Sequence, residues 1–284
     1  MSDSLERSLT VAGSIEEALS ARRQGAAILA GGTWLMRDPR RGQVLPKTLV
    51  SLHALPGLAA IDIKAGHMTI GAAVTHEALG RAFAGVVGFE AVVAAAVGAA
   101  NPAIRRVATV GGNLCTQDFA AADLLPVLLA MEATVELAAS DGPMFIPMAA
   151  FLAGRRVLLT DTILIRVILS RDLAASAHAR LPLRRAGDYP VAIVSMVLTT
   201  EGRLRVAVGS VEDVARRWDA LENAFAAEPG GRPAGAERAA ALAAACNDFR
   251  GRDGIEADGW YRRQVLPTLV RRSMEALLSK EVIR

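Results

Sequence analysis

Residues 28–35 read I-L-A-G-G-T-W-L, and residues 108–115 read A-T-V-G-G-N-L-C. Each is a short apolar run that ends in a glycine pair and a small polar residue. A glycine pair after a strand removes side chains and permits positive φ, so backbone N–H groups can converge on an anion. A helix N-terminus behind the turn adds its dipole. One such turn can hold a phosphate, and two from separate subdomains can clamp a diphosphate. Each pair also fits an ordinary tight turn. Neither stretch is a G-x-G-x-x-G or a G-x-x-x-x-G-K-[ST], so the two common nucleotide fingerprints are absent.

The residues around the first pair form a β-α-β unit. Ser8–Ala12 reads as a strand. Ser14 and Glu17 make a capping box for a helix to about Gln24, which stops at Gly25. The apolar run 26–30 is a buried strand that delivers Gly31 and Gly32. Further strands are expected at 48–52, 59–64 and 67–72, the last two as a hairpin across Ala65-Gly66. Thr75 caps a short helix, and 86–97 is a second helix that ends before Asn101-Pro102. A helix over 121–131 is expected to bend at Pro126. Strands 134–137 and 144–147 pair across Ser140-Asp141-Gly142, and 163–169 closes this region. After Ser170 a hairpin, 191–199 with 203–208, is followed by helices at about 212–226, 237–247 and 259–279. Strands followed by helices imply a separate α+β domain.

The chain has 284 residues, 52% hydrophobic and 21% charged, which fits two or three compact units. Net charge is +3, and the arginines are scattered in pairs without aromatic interleaving, which argues against nucleic-acid binding. Two cysteines, Cys115 and Cys246, form no C-x-x-C and cannot alone hold an iron–sulfur cluster. A reducing, cytoplasmic compartment fits them. The four histidines, His53, His67, His76 and His178, show no metal-ligand spacing and receive no functional role. The N-terminal residues carry acids and no apolar run, unlike a signal peptide. The weakly apolar stretch 82–100 has Glu90 inside it and reads as a buried helix, with no membrane span expected.

A-G-G-T-W-L-M together with I-R-R-V-A-T-V-G-G-N-L-C resembles the FAD-binding subunit of molybdenum hydroxylases, the xanthine dehydrogenase and aerobic carbon monoxide dehydrogenase family. Asp123, in A-A-A-D-L-L-P, matches the acidic residue that follows the family's second motif. R-L-P-L-R-R-A-G-D-Y-P-V-A and D-G-W-Y-R-R-Q-V-L-P-T-L-V-R-R extend the resemblance to the C-terminal region. Trp34 departs from the family's usual small or acidic residue. T-Q-D-F-A departs from the segment before Asp123, and Arg180 stands where relatives often have lysine.

The resemblance implies an α+β architecture: a two-subdomain FAD-binding fold of the vanillyl-alcohol-oxidase type, residues 1–54 and 55–170, plus a C-terminal α+β domain, residues 171–284. It implies an oxidoreductase subunit that takes electrons from [2Fe–2S] clusters on a small partner and passes them to an external acceptor. Molybdopterin cytosine dinucleotide would lie on a large partner, in a dimer of heterotrimers. Gly31, Gly32 and Thr33 would bind the FAD pyrophosphate through main-chain N–H and the Thr hydroxyl, with Leu29, Ala30, Trp34 and Leu35 completing the loop. Thr109, Gly111, Gly112 and Asn113 would form the second clamp. Asp123 would accept from ribityl hydroxyls, or else cap the following helix. Arg180 would lie near the isoalloxazine, and Leu164 would pack on it. No residue is assigned to acid–base catalysis or to a metal. A stand-alone flavin oxidase or reductase and a flavin-free assembly subunit are the two alternatives.

Overall fold

The computed structural model describes residues 7–184 and 188–281. The first unit is a three-stranded parallel sheet. Strand β1 (Ser8–Val11) leads to helix α1 (Ile15–Arg23), strand β2 (Ala27–Leu29), a 3-10 turn at Leu35–Arg41 and strand β3 (Thr48–Ser51); the sheet order is β1-β3-β2. Ser14 caps α1 by accepting from the Glu17 amide, and the helix ends at Gly25 with φ +90°.

The second unit is a five-stranded antiparallel sheet, order β4-β5-β8-β6-β7, built from β4 (Ile61–Ile63), β5 (His67–Gly71), β6 (Thr134–Ala139), β7 (Gly142–Pro147) and β8 (Ile163–Ser170). Between β5 and β6 lie five helices: α2 (His76–Ala82), α3 (Glu90–Gly98), α4 (Pro102–Arg105), α5 (Val110–Cys115) and α6 (Leu124–Ala130). Helix α7 (Met148–Leu158) connects β7 to β8, an element not expected from the sequence.

Two expectations here are corrected. Helix α3 starts at Glu90, not Val86, because Gly88 takes φ +84° where a Cβ would lie 2.7 Å from the Leu173 carbonyl oxygen. At the first turn of α3 Glu90 accepts from the Gly88 and Ser176 amides. Helix α6 begins at Leu124, which puts Pro126 in the first turn, where a missing N–H costs nothing and forces no bend.

The third unit is an antiparallel sheet, order β12-β11-β10-β9: β9 (Leu173–Pro182), β10 (Pro190–Thr199), β11 (Leu204–Gly209) and β12 (Arg216–Arg217). Helices α8 (Asp219–Ala226), α9 (Ala236–Ala245), α10 (Gly259–Gln264) and α11 (Leu266–Glu281) follow. The helix expected from 212 begins only at Asp219, since 216–217 pair with β11. The helix expected over 259–279 breaks before Pro267, which has no N–H for the Arg263 carbonyl. The Asn247 side-chain amide donates to that oxygen instead, at 3.0 Å. Arg262 is fully buried and donates to the Val191, Ser210 and Arg252 carbonyls, joining α10 to the sheet.

Three hydrophobic clusters correspond roughly to the three sheets. The central one crosses the expected boundary at 170/171: it takes in Val197, Ala207 and Ala215 along with α6 and β8. Arg184 lies 3.7 Å from Asp188 in an exposed pair, and Arg185 lies outside the described residues. Among the described residues no helix is long and apolar enough to cross a membrane, and no group of three His, Cys, Asp or Glu side chains could hold a metal ion.

Candidate functional site

Both glycine pairs open onto one cavity of about 390 Å³. The first turn leaves the ladder after Leu29. A Cβ on Gly31 would lie 1.7 Å from the Val107 carbonyl oxygen, so this glycine lets the first turn touch the backbone leading into the second. Gly32 takes φ +68°, which reverses the chain toward the 3-10 turn. Behind it, Arg41 donates to the Trp34 carbonyl at 3.1 Å, stacks 4.0 Å above the Trp34 ring and pairs with buried Asp38. The N–H groups of Gly32, Thr33 and Trp34 donate to no protein acceptor among the described residues. That is an open set of donors for an anion.

The second turn is held differently. Asn101 caps α4 by accepting from the Ile104 amide, and Thr109 bridges to Thr75. The Val110 and Gly111 amides donate to the Val74 and Ala72 carbonyls at 2.9 and 2.8 Å. The Gly112 amide donates to Thr109 Oγ1 at 3.0 Å, and the Asn113 amide to the Thr109 carbonyl. Every N–H of this pair is therefore engaged, and neither glycine has positive φ. The second turn offers side chains instead: the Thr109 hydroxyl proton and the Asn113 amide. Buried Arg155 fixes the far end of α5 by donating to the Leu114 and Gln117 carbonyls at 2.7 and 3.2 Å. Burial pushes the neighbouring Cys115 thiol up to about 12, so it stays protonated.

Asp123 lines the cavity at 2% exposure. It occupies the N-cap position of α6 but makes no capping bond. Its Oδ1 accepts from Arg180 Nε at 2.9 Å and lies 3.3 Å from His178 Nε2, whose Nδ1 meets Ser195 Oγ at 2.9 Å. Arg180 is itself 12% exposed and donates to the Asp188 carbonyl. It pairs with Asp123 and does not itself line the cavity. Residues 178 and 180 share one face of β9, and that register aims both at Asp123.

Of the residues expected at the site, Ala30, Gly31, Gly32, Thr33, Trp34, Leu35, Thr109, Gly112, Asn113 and Asp123 line this cavity. Leu29, Gly111 and Leu164 do not. Gly111 packs against Ala72, where a Cβ would sit 2.8 Å from the carbonyl oxygen, and Leu164 is buried in the core of β8.

The sequence reading missed His76. Its ring lines the cavity at 2% exposure, and neither nitrogen has a hydrogen-bond partner. Burial lowers its pKa, with nearby Asp123 opposing the shift, so the ring is neutral. Asn113 Oδ1 is likewise buried without a partner. A buried polar atom left unpaired is costly, about 1–3 kcal/mol, so these atoms point to a polar ligand. Also missed was an aromatic wall of Trp34, Phe119 and Tyr189, with ring centroids 4.5, 5.4 and 6.5 Å apart. Ile28, Ile104, Ala99 and Ala100 supply an apolar end. FAD fits this set: an apolar slot suits adenine, open amides suit a diphosphate, and the orphaned side chains suit sugar hydroxyls.

Residues 5–171 match the family described as the FAD binding domain in molybdopterin dehydrogenase. The chain is 29% identical over 281 residues to the alpha subunit of the 6-hydroxypseudooxynicotine dehydrogenase complex of Paenarthrobacter nicotinovorans, covering 95% of this chain and 94% of that one. It is 31% identical over 191 residues to a putative xanthine dehydrogenase FAD-binding subunit of Escherichia coli, covering 65% and 64%. Carbon monoxide dehydrogenase of Hydrogenophaga pseudoflava shares the fold, with a TM-score of 0.85 at 22% identity over 97% of this chain and 98% of that chain.

Proposed function

Because the chain belongs to the family of FAD-binding domains in molybdopterin dehydrogenases, we propose that it is the FAD-carrying electron-transfer subunit of a heterotrimeric molybdenum hydroxylase. The observation that carries this reading is the single cavity onto which an open-amide glycine turn and three partnerless buried polar atoms converge.

In this reading the Gly32, Thr33 and Trp34 amides hold the diphosphate. Thr109, Asn113 and His76 meet hydroxyls, and Asp123 accepts from the ribityl chain through its second oxygen. Arg180 and His178 hold Asp123 in place. Bound FAD supplies one-electron uptake and two-electron release. The chain's own residues bind and orient it and exclude water. Residues 1–54 and 55–170 supply most of the cavity lining, and 171–284 adds Asp188 and Tyr189 as well as the support behind Asp123. A small [2Fe–2S] subunit delivers electrons that originate at molybdopterin cytosine dinucleotide on a large subunit, in a cytoplasmic dimer of heterotrimers.

The test is titration of the purified chain with FAD, followed by flavin fluorescence and visible absorbance. One equivalent bound, and fully released by acid, is expected. A chain that leaves added FAD free in solution would overturn the reading.

A further inference from the structure

A second cavity, of about 470 Å³, lies against the first. The two share a wall, since Trp34, Phe119 and Tyr189 line both. Those rings pack on one another, so aromatic contacts join the two cavities. Electron transfer falls off steeply with gap length, and rings in contact keep the gap short.

The rest of the lining decides what could sit there. Arg156 faces Asp118 at 3.4 Å. Arg252 donates to the Ser210 carbonyl at 3.2 Å and lies 3.7 Å from Glu256, which also accepts from Arg262. Each cation of the cavity thus faces a carboxylate, Arg156 in an exposed pair and Arg252 in a largely covered one. Asp213, exposed beside half-exposed Val214, has no ion-pair partner among the described residues. A phosphate-bearing ligand would meet no free cation and one free carboxylate. A flat uncharged ring would meet three aromatic side chains and Val214.

We infer that this second cavity receives the external electron acceptor, and that the acceptor is an uncharged planar compound of the quinone class, not a nicotinamide dinucleotide. The inference rests on the flavin reading above. The exchange balances simply: two electrons and two protons leave the reduced cofactor, and the quinone's two carbonyls become the hydroxyls of a hydroquinone. Protons travel through solvent at the open mouth.

The test uses the FAD-loaded chain, reduced anaerobically with dithionite and mixed in a stopped-flow cell with menadione, a sulfonated naphthoquinone or NAD⁺. Menadione should reoxidise the chain about tenfold faster than its sulfonated analogue, because like charge slows encounter with Asp213. Val214→Trp, which fills the second cavity alone, should slow menadione about tenfold with flavin content unchanged. Asp213→Lys, an exposed change that leaves the core intact, should narrow the gap between the two quinones. A loaded chain in which neither substitution changes these rates, or which NAD⁺ reoxidises as fast as menadione, overturns the inference alone. A chain that takes up no FAD overturns the flavin reading and the inference together.

Discussion

In the first glycine turn the amides of Gly32, Thr33 and Trp34 stay open, whereas in the second those of Val110, Gly111, Gly112 and Asn113 are all taken. The letters are nearly the same and the physics differs. The difference lies in the path the chain takes out of each turn. Gly32, itself left-handed, turns the chain into a 3-10 segment, and the amides of residues 32–34 stay open. After Thr109 the chain enters α5 at once, and the threonine caps its own first turn. Within each pair the glycines also divide: Gly31 and Gly111 press against backbone, while Gly32 and Gly112 meet only side chains, and of the four only Gly111 lies off the cavity.

Substitution at each glycine can break or sharpen this contrast. Gly31→Ala should have the largest effect, since its Cβ would lie 1.7 Å from a backbone oxygen. A stability loss of about 3 kcal/mol, read by urea midpoint, and no retained flavin are expected. Gly111→Ala should cost about 2 kcal/mol by the same measurement, through Ala72, yet leave FAD affinity nearly unchanged because Gly111 does not line the cavity. A large affinity loss there would make the second pair a direct clamp after all. Gly32→Ala should cost about 1 kcal/mol for its left-handed φ, with FAD dissociation faster as the open amides tilt. Gly112→Ala should be nearly neutral for stability. Its gain in helix propensity, about 1 kcal/mol, offsets crowding of the Thr109 cap, where the new Cβ lies 3.1 Å from Oγ1.

A further expectation concerns pH. His76 is neutral in the fold because burial lowers its pKa from 6.5. The unfolded chain binds a proton as pH falls below that value while the folded chain does not, so stability is lost toward acid. His76→Phe should flatten that acid-side loss in urea midpoints measured across pH. It should also weaken FAD binding by about 1 kcal/mol if a ring nitrogen holds the cofactor. An unchanged slope would mean the ring already finds a partner in the folded chain.

Much of the local structure was legible because caps are local. Ser14 with Glu17, and Thr75, announced their helices within four residues. Strand β9 was not legible: L-A-A-S-A-H-A-R-L-P is alanine-rich, and it becomes a strand through pairing with β10, whose every residue is buried. Pro126 misled because its effect depends on where the helix starts. His76 gave no signal at all. Burial isolates it, its neighbours Asp123 and Ala96 lie far away in the chain, and the Ala96 backbone does not reach hydrogen-bond geometry with the ring. The Arg180 charge was visible, but its pairing with Asp123 depends on strand register.

The bond from Arg180 to Asp123 has one more consequence. The stretch matched to the family ends at residue 171, while the groups that hold Asp123 sit at 178 and 180. A chain ending there would leave Asp123 without Arg180 and His178, and helix α6 without the sheet it packs on. The matched stretch thus leaves out the support of its own acidic residue, and any shortened chain would have to keep β9 along with the glycine turns.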